Sequence, residues 1–309
     1  MSTNPEYTNS IFEESWWLDT VMPGQWKEIC IEEENKIVAR WAFCQHGNRI
    51  VMPPLTQTCS PWIMLNSQQR QKNCENLQQR INELLEKVSF CKSISIALDS
   101  STSYFLPFYW KGFHIRPYIT YRIRHLNNLD AVFNSFSKNV KRDIKAAEKK
   151  LHITYECSAD ILYSVMEKTF AEQKRRYPIE KELLGNVVKN SQKHHAGRMI
   201  SARDKDGNLH ASALFLYDKR RCYYLIGGKD ASYKNSNGLT LVIWEGIKFA
   251  ASVSEEFDFE GSVIEGIENY FRRFGGEPVV YYEVKRQGFF LDFADLLKPY
   301  VKELIGYKS

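Results

Sequence analysis

The stretch from Phe257 to Gly276, FDFEGSVIEGIENYFRRFGG, constrains the fold more than any other part of the chain, because it compresses a strand, a sharp turn and an amphipathic helix into one unit. Phe257 and Phe259 flank Asp258 in the alternation of a strand, Gly261 supplies turn dihedrals that other residues reach only with strain, and Ile264, Ile267, Phe271 and Phe274 recur at helical spacing. A strand that runs straight into a helix ends at the C-terminal edge of its sheet, where α/β folds place ligands beside a helix N-terminus. Glu260 arrives at that edge, either as a site carboxylate or as a local cap or ion-pair partner.

With 309 residues, 43% of them hydrophobic and 14% aromatic, the chain has material for two domains with separate cores, which excludes a disordered protein. The net charge of +5 suits an anionic partner such as a cofactor phosphate or RNA, and is far below the charge density of a dedicated DNA binder. Cys30, Cys44, Cys59, Cys74, Cys91, Cys157 and Cys222 are odd in number and form no CxxC pair, so neither a metal site nor a disulfide framework is expected. Reduced thiols fit a cytoplasmic location. The start of the sequence lacks the features of a signal peptide, and no apolar run approaches the roughly 18 residues of a membrane span.

Along the chain, Ser10–Leu18 reads as a short helix tucking Trp16 and Trp17 against a first sheet. Trp26–Ile31 and Ile37–Phe43 alternate around the turn EEEN and predict a hairpin, Arg49–Met52 adds a strand, and the proline-rich MPPLTQTCSPWI either lines a groove or closes the core. A helix over Ser67–Val88 and strands at Ser93–Leu98 and Tyr118–Ile123 complete a first domain ending near residue 130. Val132–Leu151 predicts one long helix with Phe133, Phe136, Val140, Ile144, Ala147 and Leu151 inward; outward it carries Lys138, Lys141, Arg142, Lys145, Lys149 and Lys150 against Asp143 and Glu148. After a strand at Ile153–Cys157 and helices at Ile161–Gln173 and Glu182–Lys193, the strands Arg198–Arg203, Leu209–Tyr217 and Arg221–Ile226 form a meander. Gly227 and Gly228 end it, a loop follows, and a helix runs over Leu239–Ala251 before the opening stretch, a last strand at Val279–Val284 and an amphipathic helix at Leu291–Ile305.

This order, together with FSKNVKRDIKAAEKK (136–150), YYLIGGKDASYKNSNGLTLVIWEGIKFA (223–250), FDFEGS (257–262) and IENYFRRFGGEPVVYYEVKR (267–286), resembles the Fem-type acyltransferases of the Gcn5-related (GNAT) family, relatives of the peptidoglycan aminoacyltransferases. The resemblance implies an α+β fold of two tandem GNAT-like (acyl-CoA N-acyltransferase) domains, each a mixed, mostly antiparallel sheet flanked by helices. They are expected at 1–130 and 131–290, with residues 291–309 as a C-terminal helix packing back on the body.

The same resemblance implies transfer of an acyl or aminoacyl group, from acyl-CoA or aminoacyl-tRNA, to an amine on a cell-envelope precursor or similar small acceptor. The donor phosphates would meet the segment Lys234, Asn235, Ser236, Asn237 and Gly238, and the acyl group would lie along Leu225, Ile226 and Gly227, whose backbone N–H groups can stabilise an oxyanion. The family's glycine-rich phosphate loop is missing, since this segment holds a single glycine. Many relatives place an acid tyrosine where this chain has Phe271, so either Tyr270 or Tyr282 is the substitute acid or the chemistry relies on positioning alone. Glu260 and Glu265 are candidates for the base or for holding the acceptor amine, Trp62 and Trp110 are candidates for lining an acceptor groove, and Lys285 and Arg286 either neutralise a phosphate or the developing anion or are ordinary strand-end cations. The competing expectation is a catalytically silent module that binds tRNA or a nucleotide ligand. His194, His195 and Cys222 are expected to be structural.

Overall fold

The computed structural model describes residues 7–65, 68–102, 104–156 and 158–287, with Lys234 described by its backbone alone. In chain order its elements begin with α1 (Ser15–Val21), β1 (Trp26–Glu33), β2 (Lys36–His46), β3 (Arg49–Val51), β4 (Trp62–Ile63), α2 (Arg70–Lys87), β5 (Ser93–Ala97), α3 (Leu106–Trp110) and β6 (His114–Ile123). They continue with α4 (Leu129–Ser135), α5 (Lys138–Glu148), β7 (Leu151–Thr154), α6 (Ala159–Glu172), α7 (Lys181–Lys193), β8 (Gly197–Asp204) and β9 (Leu209–Tyr217). The remainder are β10 (Arg221–Lys229), a 3-10 turn over Ala231–Ser236, α8 (Gly238–Val253), β11 (Glu256–Asp258), α9 (Glu265–Arg272) and β12 (Glu277–Arg286). The expected helix at 291–305 lies outside the described residues.

The described chain divides into two units, the first taking residues 7–9, 24–117 and 282–287, the second residues 10–23 and 118–281. The division falls at Pro117 and Tyr118, ahead of the boundary expected near 130, because the end of β6 pairs with β11, Ile123 opposite Phe257 and Arg122 opposite Asp258. In unit 1, β1, β2 and β3 pair antiparallel in sequence, β3 runs parallel to β5, and the Glu283–Arg286 half of β12 pairs antiparallel with β5. Trp41, Phe43, Ile50, Ile94 and Ile96 pack there against Ile81 and Leu84 of α2, the stripe that spacing predicted for that helix. The proline-rich loop closes this core: Cys59 is fully buried, its N–H donates to the Ala97 carbonyl at 2.9 Å and its thiol to that of Ala42 at 3.2 Å.

In unit 2 the strands β7 to β10 pair antiparallel in sequence, and β11 then lies parallel to β10 and antiparallel to β6. Adjacent residues of a strand face opposite sides of a sheet, and the glycine pair of β10 shows what covers each side. A Cβ on Gly228 would meet Thr169 and Met166 of α6, whereas one on Gly227 would meet the ring of Tyr224, which belongs to the core beneath α8. α8 owes its seat to Gly246, where a side chain would run into the Phe215 ring of β9.

Three expectations are corrected. The long helix of 132–151 is two helices: Phe136 is extended, with φ −62° and ψ 148°, and the Ser137 hydroxyl caps α5 by accepting from the Val140 N–H. Leu151 accordingly belongs to β7, which ends at Thr154. The segment at 10–21 joins unit 2 instead of the first sheet, stacking Trp16 on His194 with ring centroids 4.6 Å apart and accepting the Asn190 amide at Thr20.

Candidate active site

β10 and β11 part company within unit 2. Their parallel register runs from Arg221 opposite Glu256 to Tyr223 opposite Asp258, and there β11 ends. β10 continues to Lys229 along β9, but with a bulge: Tyr224 faces Phe215, Ile226 faces Leu214, and Leu225 is the extra residue. Bulges re-aim the strand that carries them and are common beside active sites. On the other side the chain swings toward β6, the Phe259 N–H donating to the Tyr121 carbonyl at 3.0 Å, and then turns through two left-handed residues, Glu260 at φ +58° and Gly261 at φ +71°. Glycine is required at 261, since a Cβ there would lie 2.0 Å from the Ile119 carbonyl oxygen.

The turn is held by a buried carboxylate. Asp258 is fully buried; its Oδ1 accepts the Thr120 hydroxyl at 2.5 Å and the Glu260 N–H at 2.7 Å, and its Oδ2 accepts Arg122 Nε at 2.6 Å. Such a compensated charge is stable where a lone one is not. Glu260 contrasts with it. The sequence places Glu260 at the end of the strand; β11 ends two residues earlier, at Asp258, and the Glu260 Oε1 is buried with no hydrogen-bond partner among the described residues. Burial, reinforced by the nearby charge of Asp258, pushes its carboxyl well above the ordinary carboxylate range. A carboxyl so placed holds its proton longer than a surface glutamate and is a stronger base once ionised.

A hydrogen bond joins α8 to α9. The Tyr270 hydroxyl meets Thr240 Oγ1, in the first turn of α8, at 2.9 Å, and burial raises its pKa. Phe271 is buried between Tyr224 and Phe259, with centroid separations of 5.7 and 5.2 Å, so Phe259 links the Glu260 turn to this group. Glu265 is exposed in the first turn of α9 and makes no contact that would set it in a site.

Ahead of α8, Asp230 caps the turn over Ala231–Ser236 by accepting the Ser232 N–H and pairs with Lys168 at 2.5 Å. Asn235 is exposed, the Ser236 hydroxyl accepts the Gly238 N–H at 3.2 Å, and Asn237 is left-handed at φ +60°. The missing side chain of Gly238 leaves no cradle, because a Cβ would already be 3.1 Å from that of His210. With one glycine, a folded turn and a buried carboxylate alongside, this segment fits a CoA pyrophosphate poorly. The Lys234 side chain lies outside the described residues.

The remaining candidates belong to unit 1. Trp62 is half-buried, edge-on to Tyr7 at 5.1 Å; Trp110 is 55% exposed beside Tyr104. Tyr282 packs on Phe105 at 4.7 Å and gives its carbonyl to the Leu98 N–H. Lys285 stands opposite Ser95 in the β12–β5 ladder, and the Arg286 guanidinium lies over the Phe113 ring at 4.8 Å. Thus Leu225–Gly227, Gly238, Glu260 and Tyr270 share unit 2, and the proposed acceptor residues do not. Among the described residues no group of three His, Cys, Asp or Glu is placed to hold a metal, and no helix is long and apolar enough to cross a membrane.

Sequence reasoning missed Thr120, Arg122, Asp258, Tyr224 and Thr240. Alternation gave no sign of the buried Asp258, because Glu256, Asp258 and Glu260 read as the polar face of the strand.

Residues 134–272 match the family model described as Acetyltransferase (GNAT) domain. In three dimensions the chain is similar to FemX, at TM-score 0.66 and 12% identity, over 88% of this chain and 92% of that one. It is also similar to L-PGS from Bacillus licheniformis (TM-score 0.53, 10% identity, 94% and 91% covered) and to a tandem GNAT protein from the clavulanic acid biosynthesis pathway (TM-score 0.51, 8% identity, 84% and 82% covered). No curated protein matches the chain in sequence. The match assigns a GNAT domain to residues 134–272, and the fold of the chain is similar to that of the structures just named. Over most of its length the chain has the Fem-like form of that fold.

Proposed function

We propose that the chain transfers an aminoacyl or acyl group to an amine on a cell-envelope precursor or similar small acceptor in the cytoplasm. Glu260 acts as the base, and the bulged backbone at Leu225–Gly227 receives the developing oxyanion. The observation that carries this reading is the buried, unpartnered Oε1 of half-buried Glu260 beside the point where β10 and β11 diverge. Attack by an amine requires loss of its proton, and a carboxyl with a raised pKa is suited to take it near neutral pH.

Of the two donors, aminoacyl-tRNA is favoured over acyl-CoA. The segment before α8 fits a pyrophosphate poorly, and α5 exposes Lys138, Arg142 and Lys145, with Lys149 and Lys150 just beyond, for phosphate contacts. Phe271 at the family's acid position favours the second reading, a silent module that binds tRNA or a nucleotide.

A thermal-shift and turnover panel separates the two, using acetyl-CoA, charged and uncharged tRNA and UDP-sugars, with lysine amide and a lysine-ended peptide as amines. Stabilisation by charged tRNA with amide formation supports the transferase. Stabilisation without turnover supports the silent module, and turnover with acetyl-CoA alone overturns the donor preference.

A further inference from the structure

We propose that the Tyr224 hydroxyl is the proton donor to the leaving group, supplying from β10 the hydroxyl that Phe271 lacks on α9. This rests on the acyl-transfer reading above and adds to it a residue that the family's pattern does not point to. Tyr224 sits at the bulge, one residue past the last pair of the β10–β11 register, and is 8% exposed. Its ring runs along the strand instead of away from it: a Cβ on Gly227 would lie 2.3 Å from the hydroxyl and 2.7 Å from the ring carbons beside it. Glycine at 227 is therefore what admits a phenol here, and the phenol ends beside the backbone proposed for the oxyanion. The ring meets that of Phe271 nearly edge-on, at 5.7 Å and 73°, so the phenol lies against the residue at the family's acid position.

The hydroxyls of this region are treated unequally. That of Tyr270 is satisfied by Thr240, whereas that of Tyr224 makes no hydrogen bond among the described residues. The Tyr224 oxygen is not among the side-chain atoms buried without a partner, so it is open to a group that would take its proton. Burial, with Tyr270 nearby, raises the Tyr224 pKa and keeps it protonated, as a donor must be. Such a weak acid suits an alkoxide leaving group, whereas a thiolate, basic only near pKa 8.5, departs without a proton.

The step balances as follows. The amine nitrogen bonds to the acyl carbon and gives its proton to ionised Glu260. The bond from the acyl carbon to the donor oxygen breaks with its electron pair left on that oxygen, which takes the Tyr224 proton. The phenolate is reprotonated from solvent and Glu260 releases its proton to solvent, leaving an amide and a free hydroxyl.

The test compares the wild type, Tyr224→Phe and Glu260→Gln in transfer to lysine amide and to a lysine-ended peptide, from aminoacyl-tRNA and from acetyl-CoA, with melting temperatures alongside. Tyr224→Phe is expected to lower kcat with the oxygen ester by roughly a hundredfold, the effect of losing a general acid. Its melting temperature should be unchanged or higher, because the lost hydroxyl was unpaired. The proposal is overturned if Tyr224→Phe transfers from the ester at the wild-type rate, or if its activity falls only in step with its stability. A wild type that transfers from neither donor overturns the acyl-transfer reading itself, and this assignment with it.

Discussion

Replacing Gly261 by alanine tests whether the turn that carries Glu260 has the geometry described. The added carbon would sit 2.0 Å from the Ile119 carbonyl oxygen and 2.8 Å from the Thr120 Cα, both backbone atoms of β6. Ordinary contact begins at 3.4 Å, so the strand or the turn must yield by more than 1 Å. The left-handed dihedral costs an alanine roughly 1–2 kcal/mol, and displacing paired backbone adds a similar amount, giving about 2–4 kcal/mol in all. For a unit of this size each kcal/mol lowers the melting temperature by about 2–4 °C, so a fall on the order of 10 °C is expected by circular dichroism. Gly266→Ala is the control, since Gly266 lies in α9 with nothing within 4 Å of its missing Cβ, and it should melt at or slightly above the wild type. If Gly261→Ala melts within a degree of the wild type, the left-handed turn against β6 is wrong.

Other outcomes follow from the same geometry. Asp258→Asn leaves Glu256, at 3.8 Å, as a remaining carboxylate beside buried Arg122 and should destabilise by about 2–3 kcal/mol in chemical denaturation, with Arg122→Met less severe in the Asp258→Asn background than alone. Because Glu260 binds its proton more tightly folded than unfolded, folding stability falls as pH rises from the ordinary carboxylate range through the raised pKa. Glu260→Gln should flatten that decline in melting curves taken against pH. Charge reversal at Lys138, Arg142 and Lys145, all exposed on α5, should weaken tRNA association and shallow its salt dependence by about one phosphate contact per residue, read by filter binding. Gly227→Ala should displace the Tyr224 ring and lower transfer about as much as Tyr224→Phe does, in the same assay.

Periodicity made most elements legible. The hairpin at 26–46, the meander and the helix over 238–253 emerge from alternation and 3.6-residue spacing because each buries one face against a single sheet. What periodicity cannot register is a change of backbone direction that keeps the apolar beat. Phe133, Phe136, Val140 and Ile144 recur as in one helix, yet the chain breaks at Phe136 and restarts from the Ser137 cap. The bulge at Leu225 is hidden for the same reason, since every neighbour is apolar, and it is the bulge that sets Tyr224 along the strand. At the site, the sequence located the Glu260 turn and the glycine that shapes it. The dihedral of Glu260 itself, and its tie to Asp258 and through it to Arg122 and Thr120, depend on pairing between β6 and β11, more than a hundred residues apart in sequence.

The central claim is that the Glu260 carboxyl takes the proton of the attacking amine. Single-turnover transfer from prebound aminoacyl-tRNA to lysine amide, followed by rapid quench across pH for the wild type and Glu260→Gln, tests it most directly. The wild-type rate should rise with pH as Glu260 ionises, along a limb displaced above the ordinary carboxylate range. Glu260→Gln should lose that limb and at least about a hundredfold in rate, with donor affinity unchanged. A Glu260→Gln variant that transfers at the wild-type rate with the wild-type pH dependence would contradict the account.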